Sequence, residues 1–175
     1  MNAIHTGGDY SLELYTDEEI NMIDDLLVPK VHILIKKLTD TAKIPTQGSK
    51  YAAGYDLYVD CKDEVLIRPH TTMFLKTGLA MAIPKGYYGA IYARSGLATR
   101  QGLRPPNCVG IIDADYRGEI GIPLHNDLDT TQAIAPYQRV AQMIVQPCWR
   151  IAFEEVEELK DTDRGIGGFG STGEK

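Results

Sequence analysis

At 175 residues, with 43% apolar and 24% charged side chains, the chain has the length and composition of one soluble domain with a sizeable hydrophobic core. Its net charge of −6 argues against broad, sequence-independent binding to DNA or RNA, which needs a basic face. It leaves room for a small phosphorylated ligand held by a few local arginines or a bound Mg2+.

Residues 1–15 carry no regular pattern. Thr16-Asp17-Glu18-Glu19 then reads as a capping box. Ile20, Ile23 and Leu27, with Met22 and Leu26 beside them, form an apolar stripe at helical spacing, and Pro29 ends it, so residues 17–28 are predicted as a short amphipathic helix. From Val31 to Ile35 the pattern turns to β. Strand candidates follow at Tyr55–Val59, Glu64–Ile67, Met73–Leu75, Leu79–Ile83 and Tyr88–Tyr92, punctuated by Pro and Gly. Residues 95–101 suggest a very short helix. Ile120, Ile122 and Leu124 alternate, and Val140–Val145 and Ile151–Val156 close the series. Many short strands with Gly/Pro turns predict an all-β fold, an antiparallel sandwich, jelly roll or barrel. The last dozen residues have no period and much glycine, so three regions are expected: an N-terminal extension over 1–30, a β core over 31–160 and a Gly-rich C-terminal segment over 161–175.

No run of ~18 apolar residues and no basic-then-apolar N-terminus is present, so neither a membrane span nor a signal peptide is expected, and the location expected is the cytoplasm. Cys61, Cys108 and Cys148 lie far apart, and the four histidines are equally scattered, so no protein-built zinc site or disulfide framework is indicated. The thiols are expected to be buried and reduced.

Five stretches combine glycine with polar residues in ways that core packing does not require. Ala53-Gly-Tyr-Asp56-Leu57 sets an acid just after a glycine at a strand start. Ala93-Arg94-Ser95-Gly96-Leu97 follows a strand and opens the short helix, where backbone N–H groups and a hydroxyl suit an anion. Asn107 to Gly118 reads as a β-hairpin with Asp113, Asp115 and Tyr116 at its bend. Arg139-Val-Ala-Gln142 opens an apolar strand with an arginine and an amide. The fifth is Arg164-Gly-Ile-Gly-Gly-Phe-Gly-Ser-Thr-Gly173. It spells G-x-G-x-x-G, but no helix follows it, and Glu174 stands where a P-loop lysine would be. Taken singly, Asp56 and Asp115 also read as turn caps, Arg94 and Arg139 as structural ion pairs, and Asn107 as a loop residue.

Taken in order, the five stretches resemble the trimeric dUTPase family, with motifs at 53–57, 94–98, 110–118, 139–142 and 164–173 and a resemblance spanning about 31–173. Residues 1–30 fall outside it. The resemblance implies a jelly-roll-like antiparallel β-barrel of the β-clip type. It implies hydrolysis of dUTP to dUMP and pyrophosphate, which limits uracil in DNA and supplies dUMP for dTMP synthesis. It implies Mg2+ as cofactor, no stable partnership with nucleic acid or membrane, and a homotrimer with sites shared between subunits.

The roles it implies fall on this chain residue by residue. Asp113 is the base for the water that attacks the α-phosphorus. Gln142 contacts the phosphates and orders the site. Arg94, Ser95 and Gly96 meet the phosphates. Asp56 reaches Mg2+ through a water. Uracil enters the bend of 107–118, where Asn107 and the backbone at Gly110 read its edge and Ile111, Ile112 and Gly121 line the walls, while Tyr116 lies under the deoxyribose. Arg164 pairs with the γ-phosphate. Phe169 covers the uracil, and Gly170, Ser171 and Thr172 offer donors, so the tail closes as a lid that orders with nucleotide.

Two rivals have discriminating features. A dCTP deaminase shares the fold, but its deaminating members carry a second serine where Gly96 stands here and a catalytic glutamate near the third motif, whereas Glu119 lies beyond the Asp-Tyr pair. A non-enzymatic interaction protein on the same scaffold is disfavoured by five intact motifs. Those motifs do not exclude a second, regulatory binding role.

Overall fold

The protein's structure, a computed structural model, describes residues 2–3, 14–16 and 30–168. The helix expected over 17–28 lies outside the described residues, as do Phe169, Gly170, Ser171 and Thr172. In chain order the strands are β1 (Asn2–Ala3), β2 (Leu14–Tyr15), β3 (Leu34–Lys37), β4 (Thr46–Gln47), β5 (Tyr55–Tyr58), β6 (Val65–Ile67), β7 (Thr72–Lys76), β8 (Leu79–Ala82) and β9 (Tyr87–Tyr92). Helix α1 (Ser95–Gln101) follows, then β10 (Leu103–Arg104), β11 (Gly110–Ile112), β12 (Gly121–Asn126), β13 (Gln132–Ile134) and β14 (Arg139–Pro147). Every pairing is antiparallel, in accord with the all-β fold expected.

Two sheets matter for the site. One has five strands in the order β11-β9-β14-β5-β4, the other three in the order β10-β12-β7. Alternation does what it predicts on β12: Ile122 and Leu124 are fully buried, as is Ile120 just before the strand, while Gly121, Pro123 and His125 lie on the opposite side. With Leu57, Ile67, Leu79, Leu103, Ile134 and Val140 they build one core. At ~25 cal/mol per Å2 each such side chain contributes on the order of 2 kcal/mol. The buried amide of Asn126 staples this core, donating to the carbonyls of Ile67 (3.0 Å) and Thr130 (2.8 Å). A buried amide left unpaired there would cost about 1–3 kcal/mol.

Helix α1 stops where the sequence says it should. Gly102 adopts a left-handed φ of 58°, and a Cβ there would also strike Leu128, so glycine is required twice over.

Three expectations are corrected. Residues 107–118 do not make a hydrogen-bonded hairpin: β11 pairs with β9, while the next strand, β12, pairs with β7 and β10 in the other sheet. The turn itself is present, closed by the Tyr116 N–H donating to the Asp113 carbonyl (3.1 Å), but it passes the chain from one sheet to the next. Ile151–Val156 forms no strand, and Trp149, Ile151 and Phe153 stand 85%, 73% and 92% exposed, so they have no strand partner or core beside them among the described residues. The cysteines were expected to be buried, but only Cys61 is partly so, and Cys108 and Cys148 are exposed.

Candidate active site

The five-stranded sheet gathers four of the five sequence motifs. The first lies on β5, the second follows β9, the third starts on β11 and the fourth opens β14. Register then fixes which side chains share a face. Gln142 stands directly opposite Asp56 on one side and Tyr92 on the other, and Asp56 stands opposite Thr46. Thr46, Asp56, Gln142 and Tyr92 therefore form one row across four strands, on the side of β5 away from the buried Leu57.

Asp56 is the electrostatic centre of that row. Its side chain is 11% exposed, and both carboxylate oxygens are taken: Oδ1 accepts from Nε of Arg94 at 2.8 Å, Oδ2 from Nη1 of Arg139 at 2.9 Å. Arg94 also reaches the Arg139 carbonyl at 3.4 Å. A carboxylate this deep needs such partners, because an unpaired buried charge is prohibitive. Two guanidinium groups against one carboxylate leave one net positive charge, so the cluster attracts an anion. Sequence reasoning placed Arg139 in a motif but gave it no site role. Its signal was there, an arginine opening an otherwise apolar strand.

Gln142 is held with equal definition. Its Nε2 donates to the Ala93 carbonyl at 2.9 Å, which ties β14 to the loop carrying Arg94 and Ser95. Gly54 makes this possible: a Cβ there would lie 2.6 Å from Oε1 of Gln142. Ser95 and Gly96 open α1 beside Arg94; both are exposed, and a Cβ on Gly96 would meet nothing within 4 Å. Arg94, Ser95, Gly96, Asp56 and Gln142 thus come together in one chain, with room for a ligand in front of Ser95 and Gly96.

Asp113 does not join them. Ile112 stands opposite Gly89 on β9, whereas Gln142 stands opposite Tyr92, and Asp113 lies one residue further from Tyr92 again. At about 3.3 Å per residue and 4.8 Å per strand, the Asp113 and Gln142 backbones stand roughly 16 Å apart. An aspartate side chain does not span that gap. Asp113 is exposed and makes no side-chain hydrogen bond among the described residues.

The rest of the third motif surrounds Asp113. Asn107 leans over Gly110, whose missing Cβ would sit 3.4 Å from Nδ2 of Asn107 and 3.2 Å from Cβ of Ile91. Ile111 is 53% exposed, and Ile112 packs on the core edge. The Tyr116 ring covers Gly118, and its hydroxyl donates to the Glu119 carbonyl at 2.9 Å, so the ring is a fixed platform. Gly121 has a packing reason of its own, the Phe74 ring lying across its Cα. Arg164 lies far along the exposed tail in a local turn, its Nε donating to the Gly167 carbonyl at 3.0 Å.

Among the described residues no group of three or more His, Cys, Asp or Glu side chains could hold a metal ion. Asp56 has no oxygen free of an arginine for direct ligation, and each oxygen keeps only a second lone pair for a metal-bound water. The donor set therefore fits a magnesium that rides on a triphosphate, not one caged by protein. Among the described residues no helix is long and apolar enough to cross a membrane.

Comparisons with known proteins point to one family. The dUTPase family model matches residues 40–173. The deoxyuridine 5'-triphosphate nucleotidohydrolase of Syntrophotalea carbinolica is 45% identical over 143 residues, 82% of this chain and 97% of the relative. That of Oryza sativa subsp. japonica is 44% identical over 139 residues, 79% of each chain. Among solved structures, a mutant dUTPase of Staphylococcus bacteriophage 80alpha with dUpNHpp superposes with a TM-score of 0.74 at 29% identity, covering 81% of this chain and 98% of the other. A mutant dUTPase from phage phi11 of S. aureus, described as coordinating a structural Mg(II) ion, gives 0.67 at 26% identity, covering 74% and 99%.

Proposed function

The chain belongs to the dUTPase family, and from that premise we propose that it cleaves dUTP between the α- and β-phosphates, releasing dUMP and pyrophosphate at sites assembled from more than one copy of the chain. The enzyme is a dUTP diphosphatase. The observation that carries the composite site is the roughly 16 Å between Asp113 and Gln142 within one chain. A base must stand within hydrogen-bond reach of the water it deprotonates. Asp113 of one copy therefore serves the Arg94–Asp56–Arg139–Gln142 cluster of another.

In that assembly Ser95, the Gly96 N–H and Gln142 bind phosphate oxygens, and the positive balance around Asp56 draws the triphosphate in. Asp113 takes a proton from the attacking water as the water oxygen bonds to the α-phosphorus. The bond from that phosphorus to the bridging oxygen breaks, and pyrophosphate leaves with its electron pair. Asp56 would hold a triphosphate-bound magnesium through a water, and the ion would supply neutralisation of the leaving-group charge. Asn107 and the backbone at Gly110 read the uracil edge, so cytosine leaves buried polar groups unpaired. Ile111, Ile112 and Gly121 form the pocket walls, which leave no room for the thymine methyl. Tyr116 excludes a 2′-hydroxyl. The tail supplies Arg164, Phe169, Gly170, Ser171 and Thr172 as a lid.

The expected assembly is a homotrimer. The exposed Trp149, Ile151 and Phe153 alternate with period two, which suits a strand added to the sheet of a neighbouring copy. The expected setting is the cytoplasm, where the reaction limits uracil in DNA and supplies dUMP for dTMP synthesis. Pyrophosphate release from dUTP, dTTP, dCTP and UTP with and without Mg2+ tests the reading. Fast, Mg-dependent release from dUTP alone is expected, and comparable rates on all four nucleotides would remove the uracil pocket.

A further inference from the structure

The sheet face that carries Asp56 and Arg139 holds one more cation. Tyr58 stands directly opposite Arg139 and shares its side of β5 with Asp56, two residues away. The Lys43 ammonium lies over the Tyr58 ring, 5.3 Å from its centroid, and 5.2 Å from the centroid of Tyr137. The Tyr58 ring is fixed, and the backbone that carries Tyr137 is held in a turn. The Tyr58 hydroxyl shares a 2.6 Å hydrogen bond with Oγ1 of Thr46, the residue facing Asp56 across β4. Tyr137 sits in a left-handed turn (φ 56°) two residues before Arg139, and Oε1 of Gln138 accepts from the Ala135 N–H at 2.8 Å within the same turn.

Lys43 has no carboxylate partner among the described residues. Two neutral aromatic faces hold it, an arrangement that positions an ammonium through ring quadrupoles while leaving its N–H donors unused. Arg94 and Arg139 against Asp56 give one net positive charge, and Lys43 makes it two on one face of the sheet. The Tyr58 level lies about 7 Å along the strand from the Asp56 level, a distance that a triphosphate chain covers and a monophosphate does not.

We propose that Lys43 is a further phosphate-binding residue, which contacts the β- or γ-phosphate of the nucleotide from its clamp between Tyr58 and Tyr137. The inference rests on the dUTP-hydrolysing reading above. Lys43 then serves substrate and not product, because dUMP ends before reaching it.

The test is steady-state kinetics of the full-length chain and its Lys43→Gln and Lys43→Arg variants, with dUTP as substrate and dUMP as competing inhibitor. Lys43→Gln is expected to raise KM for dUTP about five- to tenfold, the effect of one partly solvated charge contact, with kcat within about twofold. Inhibition by dUMP stays unchanged, and Lys43→Arg, which keeps both charge and ring stacking, restores KM. An unchanged KM, equal weakening of dUTP and dUMP, or no rescue by arginine would each overturn the role of Lys43. A parent enzyme that releases nothing from dUTP overturns the underlying reading, a result distinct from an active parent with an indifferent Lys43→Gln variant.

Discussion

Replacing Asp56 with Asn should destabilise the fold and loosen the phosphate site together. Asparagine is nearly isosteric, yet its one acceptor oxygen can serve only one of the two arginines, and its amide donors point at the other. One charge-assisted bond is lost, the second becomes a charged–neutral one, and two guanidinium groups face each other without a counter-charge. A hydrogen bond to a charged group contributes about 1.5–3 kcal/mol, and breaking a fully buried ion pair costs about 3–5 kcal/mol. The site is intermediate: Asp56 is 11% exposed, Arg94 27% and Arg139 45%, so water recovers part of the loss at Arg139. The expected cost is about 2–3 kcal/mol. Urea unfolding measures it as a shifted midpoint with unchanged slope, at a fixed protein concentration so that the proposed association contributes equally to parent and variant. KM for dUTP should rise in parallel as Arg94 loses its anchor. A variant within about 0.5 kcal/mol of the parent with the same KM would refute the view that Asp56 organises the cluster, since that is the ordinary range of surface changes.

Asp113→Asn should retain nucleotide binding, measured calorimetrically, and lose about 10²–10⁴-fold in turnover, the usual contribution of a positioned base. Near-parental turnover would move the base elsewhere. Gly54→Ala should push the Gln142 amide from its bond to Ala93, since the new Cβ would lie 2.6 Å from Oε1. About tenfold slower turnover is expected with little change in melting temperature, because the atom displaced is the end of a side chain, and stopped assays with thermal melts separate the two. A chain ending at Asp163 should melt like the parent and lose most activity, the described tail having few contacts with the core; full activity would deny the lid.

Much of this was legible in the sequence. The alternation at Ile120, Ile122 and Leu124 read correctly because one face of β12 meets the core, and α1 read correctly because Gly102 ends it with a left-handed residue. Two readings failed for a shared reason, that local pattern does not name a strand's partner. Asp113 to Tyr116 is the turn expected, but nothing local says that β11 belongs to one sheet and β12 to another. Trp149, Ile151 and Phe153 alternate like a strand without a sheet to join among the described residues. In the site, the motifs gave residue types, and only register revealed that Asp56 binds Arg139 as well as Arg94 while Asp113 stands apart. Lys43 had no signal at all, because its placement depends on two tyrosines far from it in sequence.

Subunit complementation tests most directly whether the site is shared. Asp113→Asn and Gln142→Ala chains, each inactive alone, are unfolded together in equal amounts, refolded and assayed for pyrophosphate release from dUTP. If each site takes Asp113 from one chain and Gln142 from another, random assembly leaves about one quarter of the sites intact, and about one quarter of parental activity should return. A mixture as inactive as its components would contradict the account and return the whole site to a single chain.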